Sequence, residues 1–192
     1  ISNDGLQYVS KHPIIFIFYV FSGLFFYKFL NAVTKNKKYS YLGTIFYLLY
    51  PYLLGHSLFN PKDIPFLTAW LACTYYRCRL INYYLNKKEI IFKKIIILSL
   101  ITAFLISIRI SGILIFLQYL ISFIITISLI KFSSKEIIYI TKKSAIFFIS
   151  NMIFVIILYP VFWSSPVEIV NAINFMSSHH NDVSTLTLGK GM

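Results

Sequence analysis

The sequence predicts an all-α fold: a polytopic transmembrane helix bundle of about six spans, with a short interfacial helix on its outer surface. Three observations predict it. Of 192 residues, 58% are hydrophobic and 19% aromatic, while 12% are charged. Soluble domains carry about 25% charged residues, and disordered chains are poor in apolar and aromatic side chains. Apolar runs of the roughly 20 residues that cross a bilayer recur along the chain, and mean hydropathy is +0.74. Finally, 18 Lys and Arg stand against 6 Asp and Glu, a net charge of +12, and the basic residues cluster between the apolar runs. Two cysteines are too few for a disulfide-built secreted scaffold.

The predicted spans cover residues 13–33, 41–56, 64–85, 89–108, 110–130 and 144–163. Lysines punctuate them in three short segments: Lys35, Lys37 and Lys38; then Lys87, Lys88, Lys93 and Lys94; then Lys131, Lys135, Lys142 and Lys143. Six passes put all three segments on one face, where Lys28, Arg77 and Arg79 also fall. That leaves Lys11, Lys62, Arg109 and Lys190 for the other. The lysine-rich face is therefore cytoplasmic by the positive-inside rule, and the opposite face periplasmic or lumenal. The stretch 95–130 decides the parity. Residues 95–108 give about 21 Å of helix, so Lys93 and Lys94 must snorkel for the span to start near Glu89. A single pass through the whole stretch, about 54 Å long, exceeds what tilt absorbs. Two passes turning near Arg109 to Gly112 follow.

Beyond Trp163, Ser165-Pro166-Val167-Glu168 reads as a capping box with proline at the first helical position. Ile169, Val170, Ala172, Ile173 and Met176 then fill one broad arc, the pattern of a helix lying on the outer surface. From His179 onward the chain is polar and predicted extended. No internal repeat, Gly/Ser linker or soluble domain interrupts this single membrane domain. The chain opens on Ile1 and closes on Met192 without a stop-like tail, and reads as an internal fragment of a longer protein.

Polar chemistry concentrates in Gly55-His56-Ser57-Leu58-Phe59-Asn60-Pro61-Lys62-Asp63-Ile64-Pro65-Phe66, between two spans on the outer face. Ionisable groups facing a bundle at a membrane boundary are functional candidates. Two compatible readings fit Asp63: a cap on the helix opened by Ile64-Pro65, or a reacting carboxylate. Arg109, in Ile108-Arg109-Ile110-Ser111-Gly112 between two apolar helices, also has two. It anchors at the interface, or its guanidinium grips a phosphate bidentately. His179-His180 lacks a spaced third ligand and is weak as a metal site. Cys73 and Cys78 fit neither a CxxC nor a zinc pattern and read as filler within a span. Gly-rich phosphate loops, Walker motifs and catalytic triads are absent. The lysine turns are short and membrane-flanked, so anionic lipid headgroups, not nucleic acid, are their expected neighbours.

The order Tyr50-Pro51, Gly55-His56-Ser57, Phe59-Asn60-Pro61-Lys62-Asp63-Ile64-Pro65-Phe66 and Arg109-Ile110-Ser111-Gly112 resembles a family of multi-pass membrane enzymes. These are the GT-C type glycosyltransferases related to protein O-mannosyltransferases and to the aminoarabinose transferase of lipid A. Tyr159-Pro160, Trp163, Pro166, Ala172, Met176-Ser177 and Thr185-Leu186-Thr187-Leu188-Gly189 resemble its bacterial branch. The resemblance implies transfer of a sugar from a polyprenyl-phosphate donor to a hydroxyl of a lipid, polysaccharide or protein. The reaction face would be extracytoplasmic, in a bacterial inner membrane. Asp63 matches the acidic residue of the family's second outer loop; its partner in the first outer loop would lie upstream of Ile1. The resemblance thus implies Asp63 as catalytic base or headgroup ligand, Lys62 and Arg109 as phosphate ligands, and His56 as a polar contact. Some relatives bind a divalent metal at the acids and others do not. Residues 1–192 alone are expected to be inactive. A transporter or flippase of lipid-linked sugars, or a non-catalytic membrane subunit, are the alternatives.

Overall fold

A computed structural model describes residues 3–86, 91–129, 133–159, 163, 167, 170–171, 174, 186–187 and 190–191. The chain divides into two compact units, Ile1–Val155 and Ile156–Met192. In order, the elements are α1 (Asn3–Thr34), α2 (Lys37–Leu49), α3 (Pro51–Phe59), α4 (Asp63–Leu85), α5 (Phe92–Ile108), a 3-10 helix (Ile110–Leu114), α6 (Ile115–Leu129) and α7 (Ser134–Leu158). Two short strands follow, β1 (Leu186–Thr187) and β2 (Lys190–Gly191), paired antiparallel.

The helical rods alternate in direction. Tyr27 meets Tyr41 (ring centroids 4.7 Å apart) and His12 reaches the Leu58 carbonyl, so the chain runs along α1 and returns along α2 and α3. Helix α4 then runs parallel to α1: Thr68 donates to the Phe18 carbonyl (2.8 Å) and Phe25 packs near Tyr75 (6.4 Å). Helix α5 returns, pairing Lys94 with Tyr83, Thr102 with Cys73 and Arg109 with Asp63. Helix α6 again follows α4, Gln118 donating to Thr74 (3.1 Å) and Arg77 to Ser122 (3.1 Å). Helix α7 packs on α5 and α6 through Phe147 and Asn151. One end of the bundle therefore gathers Lys35, Lys37, Lys38, Lys93, Lys94 and Lys135. The other gathers residues 58–63 and Arg109.

The interior mixes apolar side chains such as Ile64, Leu105 and Ile115 with small polar ones, and large apolar side chains also cover the outside. Ser22, Ser40, Ser57, Ser99 and Thr102 have no exposed surface, whereas Phe46, Leu49 and Ile149 are 68%, 64% and 63% exposed. The polar groups join helices across the interior. Asn151 donates to the Ser99 carbonyl (3.0 Å), Ser99 to the Phe147 carbonyl (3.1 Å), and Thr102 lies 3.6 Å from the Cys73 sulfur and 2.9 Å from the Tyr119 hydroxyl. Small polar residues at helix contacts and large apolar ones on the outside suit a bundle in hydrocarbon. Among the described residues, three helices are long and apolar enough to cross a membrane, His12–Thr34, Ile110–Ser128 and Ser134–Leu158, and the bent pair α2–α3 makes a fourth if it is one span. These lengths mark a membrane protein.

Several predicted boundaries move. The 41–56 run is not one rod: it breaks into α2 and α3, bent by 59°. Pro51 supplies no N–H, and Tyr50 before it is extended (φ −62°, ψ 115°), as the residue preceding proline prefers. The last run starts ten residues early, at Ser134. Ser133 and Glu136 form a reciprocal capping box, the Ser133 N–H donating to Glu136 Oε2 (2.8 Å) and the Glu136 N–H to Ser133 Oγ (3.4 Å). Lys135, Lys142 and Lys143 thus lie on a helix, not in a turn. The first lysine segment is a tight turn. Lys35 adopts a left-handed conformation (φ 52°), and Asn36 caps α2 by accepting from the Lys38 and Tyr39 N–H groups. Arg77 does not face the surface with Arg79; it turns inward to Ser122 and to the Tyr119 carbonyl (3.3 Å). Cys73 is fully buried and Cys78 half-buried, both as free thiols. In the expected interfacial helix, Val170, Asn171 and Asn174 are helical. The Ser165–Glu168 capping box and His179-His180 lie outside the described residues.

Candidate functional site

The end opposite the lysines carries a polar constellation built by two connections. In the first, α3 ends on Asn60, whose N–H donates to the His56 carbonyl (2.9 Å). Its side-chain oxygen then accepts from the N–H groups of Lys62 (3.3 Å) and Asp63 (2.9 Å). Asn60 therefore closes one helix and opens the next, as a side-chain turn of Asn does. Its amide also donates to Asp63 Oδ2 (2.8 Å) and lies 3.1 Å from His56 Nδ1. The capping role expected of Asp63 falls to Asn60, and the Asp63 carboxylate is left to face Arg109.

The second connection supplies that arginine. Arg109 is extended (φ −148°, ψ 133°) between α5 and the 3-10 helix. Its carbonyl accepts from the Gly112 N–H (2.8 Å). Gly112 is required here: a Cβ would stand 2.8 Å from the Leu105 carbonyl oxygen. The tight return throws the guanidinium toward α4, where Nη1 pairs with Asp63 Oδ1 and Cζ sits 6.0 Å from the Phe66 ring centroid. The Arg109 and Asp63 side chains are 44% and 51% exposed. His56 completes the patch, its ring 4.4 Å from Tyr52 and 5.1 Å from Phe59.

Of the four residues singled out by sequence, the fold joins Asp63 and Arg109 directly and His56 through Asn60. Lys62 is adjacent but exposed, and its side chain enters none of these contacts. Asn60 went unassigned, although asparagine two or three residues before a helix is a recognisable turn signal. The paired side chains stand about half exposed at this end of the bundle. Neither of the cavities at the α1–α4 and α4–α7 packing surfaces includes any of these residues.

A hydroxyl-bearing or phosphate-bearing ligand would find here a carboxylate acceptor, a guanidinium donor and an amide within one patch. A divalent metal would find one carboxylate here, Asp63, already hydrogen-bonded by Asn60 and paired with Arg109. Among the described residues, no three His, Cys, Asp or Glu side chains group for a metal. No protein family, curated protein or solved structure matches the chain.

Proposed function

We propose that the chain is the membrane-embedded part of a glycosyltransferase. It moves a sugar from a polyprenyl phosphate to an acceptor hydroxyl at the face opposite the lysine turns. On this reading the alternating rods are six membrane passes, with α2 and α3 together forming the second. The lysine-rich end is cytoplasmic, and Asp63 and Arg109 stand at the extracytoplasmic edge. The observation that carries the proposal is their pairing from connections 46 residues apart.

The chemistry follows from the two charges. The acceptor oxygen attacks the sugar carbon, the bond to the donor phosphate breaks, and the hydroxyl proton passes to Asp63 as general base. Arg109 meets the negative charge left on the departing phosphate. In the pair, Arg109 occupies Asp63 Oδ1; a donor phosphate competing for the guanidinium frees that oxygen for the acceptor. Asn60 holds the other carboxylate oxygen in place, His56 holds Asn60, and Lys62 is a second cation within reach of a phosphate.

In the full-length protein, Asp63→Asn and Arg109→Ala should each lower transfer by about 10²-fold or more with expression intact, since loss of one charge interaction at a transition state costs that much. Near-normal transfer by both variants refutes the proposal. A carrier of lipid-linked sugars is the second reading, favoured by the 59° break between α2 and α3, because discontinuous helices build transporter sites. Flipping of a fluorescent polyprenyl-phosphate sugar in proteoliposomes, without transfer to any acceptor, would select it.

A further inference from the structure

At the lysine-rich end, α1 and α4 diverge around a groove of about 330 Å³, space for roughly ten waters. Its polar lining includes Lys28, Asn31, Tyr75, Arg79, Asn82 and Asn86, and among the described residues none that lines it is acidic. Its two cations flank one phenol: Lys28 Nζ lies 6.0 Å and Arg79 Cζ 5.9 Å from the Tyr75 ring centroid. Arg79 Nη1 also donates to the Tyr75 hydroxyl (3.2 Å). A third cation comes from α5, where Lys94 Nζ caps the Tyr83 ring at 3.7 Å and touches its hydroxyl. Like charges gathered about one groove repel, more so beside apolar helices than in bulk water. A bound anion would turn that repulsion into attraction.

Depth points to the form of the anion. Lys28 lies six residues before the end of α1 at Thr34, and Arg79 six before the end of α4 at Leu85. Each is recessed by about 9 Å from the end of its own helix, and α1 leads there into the turn that carries Lys35, Lys37 and Lys38. With that turn at the membrane surface, the groove opens at the level of lipid phosphates. Guanidinium and ammonium groups with amide donors are a phosphate-ester set, and basic pockets between helices at this level take anionic headgroups.

We propose that this groove is a specific binding site for the phosphate headgroup of an anionic glycerophospholipid. It differs from diffuse surface attraction in that Lys28, Arg79 and Asn82 act together, while the exposed Lys37 and Lys38 do not take part. The test is native mass spectrometry of the full-length protein from nanodiscs of phosphatidylcholine doped with phosphatidylglycerol, with thermal unfolding of each variant followed in parallel. Wild type should retain phosphatidylglycerol in excess over its share of the bilayer. Lys28→Gln with Arg79→Gln should lower that retention by about tenfold or more, one charge-assisted contact alone being worth about tenfold. Lys37→Gln with Lys38→Gln should not.

If the paired variant fails to fold, Asn82→Asp serves. It is nearly isosteric at an exposed position, places a carboxylate beside both cations, and should abolish the preference. Millimolar glycerol phosphate should leave the retained lipid in place; displacement would mean that the groove takes soluble phosphate esters and would overturn the lipid assignment. Unchanged retention in the groove variants, or an equal loss on removing Lys37 and Lys38, overturns the site itself.

Discussion

A methyl group on Gly112 would press on the Leu105 carbonyl oxygen at 2.8 Å and on the Ile106 Cα at 3.1 Å. Backbone cannot yield there without moving the 3-10 helix off α5, and Arg109 moves with it. Gly55, inside α3, has no neighbour within 4 Å of the same construction. The two glycines should therefore respond oppositely to alanine. Gly112→Ala should destabilise by about 1–3 kcal/mol, the usual cost of overpacking, and on the proposed transferase reading lower transfer along with the Asp63 and Arg109 variants. Gly55→Ala should be neutral or stabilising by up to about 1 kcal/mol, since glycine is a poor helix former. Thermal unfolding in detergent reads both, and equal effects would contradict the geometry. The Asp63–Arg109 pair itself is about half exposed, so it adds no more than about 1 kcal/mol to stability. Variants of the pair should thus be folded, and any loss of activity belongs to the site.

The break between α2 and α3 shows how an element can bend inside an apolar interior. Proline at 51 leaves carbonyls of the preceding turn without their helical donor. Tyr19, 2% exposed on α1, donates to the carbonyls of Tyr47 (3.2 Å) and Leu48 (2.9 Å). Tyr19→Phe removes that donor and should cost about 1–3 kcal/mol, the penalty for an unsatisfied buried group. Tyr39→Phe, at a 64% exposed position, should cost nothing measurable. The sequence contained the bend in plain form, as Tyr50-Pro51, but a window that counts apolar residues passes over a single proline. The start of α7 was also readable as Ser133-x-x-Glu136; the lysines that follow disguised a helix as a loop. By contrast α4 (Asp63–Leu85) lies within a residue of the predicted 64–85, because proline and asparagine punctuate both its ends. The meeting of Asp63 with Arg109 and the inward turn of Arg77 depend on how α4, α5 and α6 pack, and no local pattern encodes that.

Among the described residues of the first unit, Lys35, Lys37, Lys38, Lys93, Lys94 and Lys135 lie toward one end and Asp63, Arg109 and Lys62 toward the other. If that axis stands across a membrane, an impermeant maleimide should find the two ends from opposite sides. With Cys78→Ser as background, Lys62→Cys should label on intact cells, and Lys37→Cys only after permeabilisation. Labelling of both from one side would dismantle the six-pass orientation. Such an experiment needs no change at residue 73, whose sulfur has no exposed surface and rests 3.6 Å from Thr102 on α5. That sealed thiol has a consequence of its own. The sulfur becomes reachable only when α4 parts from α5 and α6, so the protein holds a native clock for the opening of its central rods, silent while they stay together.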